Sequence, residues 1–402
     1  MEENQQTSSR KAERLDKIIL ALLVFFLACS AFSIALSEIG YFSALVFWLG
    51  RMVYLRKFSY PRSPLDLFIL GYVLAEILAT IFAYDKLYSL LYLQRRLLLL
   101  PVMYIIVANT TSSKELKLLF GALMFSAVVV SLWSMRDLVL HFNEYLHFQR
   151  RLSEFQIYMT AGGLMMIALL LLLPFLVHKE TPKKLRWLCF IIIIPLGINL
   201  FFTFTRSSWL GFLVGSIVIG TFRSKKIFLA LTGIILVILL IASPEVNNRI
   251  YSIFDPNHPM NVTRVHMWKT GWKIFLDHPL VGIGDIGTET VWDQYADPGW
   301  VKEGHLHNNI IMWMVTLGVV GTIALIALFV KIGMFLYSIV KKYGDDWLTS
   351  SLALGGLAVI VGFQVNGLFE WNFGDTEIIT VVWAIVGLNI AASKIVQQNQ
   401  TP

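Results

Sequence analysis

The sequence predicts an all-α integral membrane protein with about twelve transmembrane helices and a loop domain on the outer side. Three observations predict it. Of the 402 residues, 56% are apolar and only 15% charged, with a mean hydropathy of +0.67; a soluble domain carries about 25% charged residues. The apolar residues form continuous runs of about 20, the length that crosses a bilayer. The basic residues then gather on one side of those runs. A barrel strand would instead alternate at period two. Backbone polar groups in lipid must bond within their own segment, so each run is read as a helix.

The first 17 residues are polar and include Arg10, Lys11, Arg14 and Lys17. The run Ile18 to Leu36 lacks a small-residue cleavage site and reads as a retained span, not a signal peptide. Further runs lie at about 39–55, 65–83, 88–108, 116–136, 157–177, 187–205, 207–222, 227–243, 308–331, 347–366 and 376–393. With the N-terminus inside, 21 of the 33 Lys and Arg fall on the inner side, Lys57, Lys183, Lys184, Lys341 and Lys342 among them. The positive-inside rule then assigns both termini to the cytoplasm. This asymmetry accounts for most of the +7 net charge and leaves no nucleic-acid partner to invoke. Cys29 and Cys189 both sit inside apolar runs, so no disulfide framework or cysteine metal site is expected.

Two outer segments stand out: 137–156, and a longer one from Pro244 to Leu306. Seven of the eight histidines fall on the outer side, which places the candidate chemistry there. Glu76 is the clearest charge inside a span. It reads as a residue facing the bundle interior with a hydroxyl or Arg partner, or as a transport residue. Thr203 to Ser208 is too short to leave the membrane surface, so Arg206 is held there. A guanidinium so placed binds phosphate bidentately or snorkels to lipid headgroups.

Within the long outer segment, Val265, Trp268, Trp272, Phe275 and Leu276 recur at helical spacing. They predict an interfacial amphipathic helix, capped by Asn261 or Thr263 and stopped before Pro279. Arg264 falls in its first turn. Gly282 and Gly284 mark a tight turn, in itself weak evidence for phosphate binding. His305 and His307 then precede the tenth span. They read as an interface cap, as zinc ligands with His266 or His278, or as a general base on a hydroxyl acceptor.

His307-Asn308, nine residues, then Gly318-Val319-Val320-Gly321 resembles the signature of the bacterial O-antigen ligase and polymerase superfamily. Thr205-Arg206-Ser207-Ser208 resembles that family's Arg segment. Arg264 with Trp268 and His278-Pro279-Leu280-Val281-Gly282-Ile283-Gly284 resembles its loop motif. Gly367 to Glu377 resembles a segment between the last two spans of ligase-type members.

The resemblance implies a GT-C-type glycosyltransferase architecture with a periplasmic active site in a bacterial inner membrane. It implies a donor glycan on undecaprenyl pyrophosphate and a lipid A–core acceptor for a ligase, or a carrier-linked glycan for a polymerase. By motif, His307 is the base, Arg206 and Arg264 hold the pyrophosphate, and no metal or cofactor is needed. His305 is a support for the turn or an incidental surface residue, and Asn308 is a further candidate. Glu370 and Asp375 are candidates for acceptor contacts. Arg95, Arg96, Arg150 and Arg151 add to the outer basic cluster without a motif of their own. The expected organisation is a membrane bundle over 1–243, a periplasmic loop domain over 244–306, and C-terminal spans over 307–402. A transporter of lipid-linked sugars is the alternative of another class; it requires polar residues along several spans.

Overall fold

The computed structural model describes residues 2–56, 58, 60–241, 243–252 and 255–400. Lys57 lies outside the described residues, as do 253 and 254 of the long outer segment. The protein is 77% helical, with no strand among the described residues. Each of the twelve apolar runs is largely helical over its described residues. Seven helical segments are long and apolar enough to cross a membrane, one of them, Lys86–Asn109, made of two consecutive helices, and Arg206–Phe222 is a shorter apolar helix. The chain is a multi-pass membrane protein.

In chain order, α1 (Glu2–Cys29), α2 (Ile34–Tyr54) and α3 (Asp66–Ile81) precede α4 (Lys86–Leu97) and α5 (Pro101–Asn109). The run at 88–108 is thus two helices, because Pro101 starts a new one, its missing N–H costing nothing in a first turn. Then come α6 (Ser113–Leu140), α7 (Phe142–Leu146), α8 (Tyr158–Val177), α9 (Lys183–Phe202), α10 (Arg206–Phe222) and α11 (Lys226–Ile241). The outer segment folds as α12 (Pro244–Tyr251), α13 (Pro259–Asp277), a 3-10 turn at Thr288–Thr290 and α14 (Trp292–Tyr295). The chain ends with α15 (Asn309–Lys342), α16 (Trp347–Asn366) and α17 (Thr376–Gln400). The helices α8, α16 and α17 are apolar all round and enclosed by their neighbours, as such helices must be. By contrast, α9 keeps Trp187, Phe190, Ile191 and Ile194 outward, as a lipid-facing helix does.

Two local features position the site. The amphipathic helix begins at Pro259, two residues before the expected Asn261 cap, because Pro is suited to the first helical position. Val265, Trp272 and Leu276 are exposed along it, while Met267, Thr270, Gly271 and Ile274 pack inward. Second, α15 is broken at Gly318, whose φ of +62° no side-chain-bearing residue adopts readily. The loop after α13 enters that break. Ile283 N–H donates to Val315 O (2.9 Å) and Gly284 N–H to Thr316 O (3.0 Å). Val319 N–H donates in turn to Pro279 O (2.8 Å). Gly282 and Gly284 therefore serve close backbone approach here, and no phosphate role is needed to explain them. The orphan groups of the broken helix are satisfied by the loop.

Candidate active site

The segment 303–308 is fixed from three directions. Gly304 O accepts from Thr288 N–H (3.1 Å), Glu303 O from the Thr288 hydroxyl (2.6 Å) and Leu306 O from Trp268 Nε1–H (3.1 Å). At its end Asn308 caps α15, accepting from Ile311 N–H (3.0 Å) and donating to Leu368 O (2.9 Å). Asn308 therefore positions backbone. Between these anchors His307 holds a left-handed φ of +47°. For a non-glycine residue that costs about 1–3 kcal/mol and persists only where the surroundings enforce it, most often at functional sites.

The loop joining α16 to α17 presents Glu370 to His307. Asn309 N–H donates to Gly367 O (2.7 Å), Asn309 Nδ2 to Asn372 Oδ1 (2.5 Å), and Asn372 Nδ2 to Phe363 O (2.8 Å). So pinned, the loop brings Glu370 Oε2 within 2.9 Å of His307 Nδ1. Its other oxygen, Oε1, accepts from Arg264 Nη2 at 2.8 Å. One buried carboxylate thus joins two residues that are 43 positions apart in the chain. A carboxylate only accepts, so Nδ1 is the donor and Nε2 is left as the free acceptor. The His305 ring lies edge-on to His307, centroids 4.3 Å apart. Burial first, and His307 second, push His305 down to about 4.

Arg206, the first residue of α10, reaches into the outer segment. Its Nη1 donates to Ser252 O (2.7 Å) and Oγ (3.0 Å), and Nη2 to Asn261 Oδ1 (2.8 Å). All three acceptors are neutral. The residue before the Thr205-Arg206 pair, Phe204, is buried with a φ of +52°, a second strained point beside a candidate residue.

Sequence reading singled out no role for Arg249, yet it is 7% exposed and lies in the same cluster. It donates to Phe204 O (3.3 Å), and its Nε has no partner. Burial, then the charges of Arg206, Arg151 and Arg264, push it down to about 10. The Phe148 ring lies between Arg151 (4.7 Å) and Arg249 (5.1 Å), so the 137–156 segment helps to hold two guanidiniums together. His258 faces them too, held below the usual histidine range by burial, Arg206 and Arg249. Among the described residues, no carboxylate pairs with Arg151, Arg206 or Arg249. Four guanidiniums thus share one paired carboxylate, Glu370. Only its lack of any motif hid Arg249; a basic residue on a short polar helix reads as surface.

Other candidates stand apart from this cluster. Arg150 is bound by Asp137 through two bonds (2.7 and 2.6 Å). Arg96 is held by Asp285 (2.5 and 2.7 Å) and Glu76 (3.4 Å), beneath Trp371. Glu76 also accepts from the Tyr72 hydroxyl (2.9 Å), so it has both the hydroxyl and the Arg partner of the interior reading. Arg95 lies over the Tyr92 ring (5.6 Å). Asp375 accepts from Ile378 N–H (3.2 Å) at the start of α17 and from the Thr160 hydroxyl (2.5 Å). His266 stacks on Trp300 with centroids 4.0 Å apart. Among the described residues, no group of three His, Cys, Asp or Glu is placed to hold a metal ion.

Residues 190–326 match the family model described as O-antigen ligase. The match covers Arg206, Arg249, Arg264, His305 and His307 and stops short of the Glu370 loop. It supports the resemblance to the O-antigen ligase and polymerase superfamily, whose members are glycosyltransferase-like enzymes of O-antigen and polysaccharide assembly. No curated protein matches the chain.

Proposed function

We propose that this protein is an O-antigen ligase, moving a glycan from undecaprenyl pyrophosphate to a hydroxyl of a lipid A–core acceptor without a metal. The observation that carries the reading is Glu370 bridging His307 and Arg264 beside an otherwise uncompensated guanidinium cluster. Polarised through Nδ1, His307 takes the acceptor proton on Nε2 as the hydroxyl oxygen attacks the anomeric carbon. The bond from that carbon to the phosphate oxygen breaks, and undecaprenyl diphosphate leaves. Arg206, Arg249, Arg151 and Arg264 offset the charge that builds on the departing phosphate. Glu370 orients the imidazole and offsets the positive charge it acquires, as the buried carboxylate of a catalytic triad does.

The basic asymmetry of the loops supports an inner-membrane location with both termini cytoplasmic and the site periplasmic. A superfamily polymerase would use the same chemistry on a carrier-linked acceptor. Deleting the gene separates the two. Loss of all long-chain lipopolysaccharide with carrier-linked polymer accumulating supports a ligase; a ladder reduced to a single repeat supports a polymerase.

The chemistry is tested with purified protein, lipid-linked donor and acceptor. His307→Ala should lower transfer by roughly 10² to 10⁴, and His305→Ala by less. Wild-type transfer should persist in EDTA. Activity lost in EDTA and restored by zinc would overturn the metal-free mechanism.

A further inference from the structure

We propose that a cavity beside His305 is the subsite for the acceptor's sugar ring, with Glu289 and Arg95 as its hydroxyl ligands; this rests on the transfer reading above. The cavity has a volume of about 300 Å³, at the small end of the roughly 300–1,000 Å³ usual for ligand sites. Arg95, Glu289, His305, Tyr92 and Trp371 all line it.

Two features make it a site for hydroxyls. Glu289 and Arg95 both line the cavity with opposite charges, yet neither forms an ion pair among the described residues. The Glu289 carboxylate lies over two glycines. A Cβ on Gly304 would stand 3.1 Å from Oε2, and one on Gly287 would collide with the carboxylate. In addition, His305 Nδ1 is buried without a hydrogen-bond partner. A buried polar atom left unpaired is costly and calls for a local explanation.

Charge separates this cavity from the guanidinium cluster. The cavity lining carries Glu289 as well as Arg95, and the deeper Arg96 is paired with Asp285. A diphosphate gains nothing here that the cluster does not give better. A sugar ring fits both features: its hydroxyls donate to Glu289 and accept from Arg95, and its C–H face lies on Tyr92 or Trp371. Proximity to the base identifies the sugar as the acceptor's. His305, which lines the cavity, has its ring centroid 4.3 Å from that of His307, so a sugar held there has its hydroxyls beside the residue that takes the acceptor proton.

The test is calorimetric titration of wild-type, Glu289→Gln and Arg95→Ala protein in nanodiscs. The probes are core oligosaccharide freed from lipopolysaccharide by mild acid, free repeat-unit oligosaccharide, and undecaprenyl diphosphate. Core oligosaccharide should bind wild-type protein and bind each variant at least tenfold more weakly, while undecaprenyl diphosphate binds all three alike and so reports an intact fold. Absence of core oligosaccharide binding, binding confined to the repeat-unit oligosaccharide, equal binding by all three proteins, or a loss confined to the diphosphate overturns the proposal. Failure of the parent reading shows elsewhere: Arg206→Ala would then retain transfer, whatever the oligosaccharide titrations give.

Discussion

His307 and Arg249 carry the residue-scale argument. A histidine forced to φ +47° and a buried guanidinium with an unpartnered Nε each cost stability, and one bound diphosphate gives a reason for the second. A hydrogen bond to a charged group is worth about 1.5–3 kcal/mol, or about 10- to 150-fold in binding. Arg249→Ala should therefore weaken undecaprenyl diphosphate binding by at least about tenfold. Arg206→Lys and Arg264→Lys should impair transfer while the protein still inserts, because Lys keeps the charge but loses the planar fork. Unchanged diphosphate binding in Arg249→Ala and normal transfer in both Lys variants would leave the cluster as a structural feature only.

His305 supplies a pH prediction at the same scale. Its value is pushed down to about 4 in the folded protein, against 6.5 ordinarily. As pH falls below 6.5 the unfolded chain takes up the proton first, so stability present above 6.5 is lost progressively toward pH 4. His305→Gln should accordingly lose less melting temperature than wild type between pH 7 and 4.5. Parallel losses in the two proteins would count against a buried, neutral His305.

At the scale of elements, the broken α15 and the loop that fills it form one unit. Gly318 needs its positive φ, and a Cβ there would strike the Leu280 backbone. Gly318→Ala should cost about 1–3 kcal/mol for the backbone alone, seen as a lower melting temperature in detergent. Transfer should fall with it, because His307 lies eleven residues before the break on the same half-helix and its cap. Wild-type stability in this variant would show that the break does not depend on glycine. The Asn309–Asn372 contact is the matching device on the other side, fixing the Glu370 loop to the start of α15.

For the whole molecule, the prediction is topological. A reporter fused after Lys342 should read cytoplasmic, and one inserted at Asn257 periplasmic, because the inner side takes 21 of the 33 basic residues. A cytoplasmic signal at Asn257 would put His307 in the wrong compartment and end the proposed mechanism.

The helical membrane class follows from the residues alone, because twelve continuous apolar runs admit no other backbone solution in lipid. The sequence also marked His307, Arg206 and Arg264, whose neighbours form recognisable motifs. Tertiary structure decided the rest. Glu370 was legible only as a weak acceptor contact, since its link to His307 spans 63 residues and depends on the asparagines that pin its loop. In sequence Arg96 and Arg150 are indistinguishable from the other outer arginines; the fold sets Asp285 against the first and Asp137 against the second. Arg249 and Glu289 carried no signal at all. A charge becomes a ligand-binding group when folding buries it beside like charges or leaves it unpaired in a cavity, and that depends on which distant segments meet.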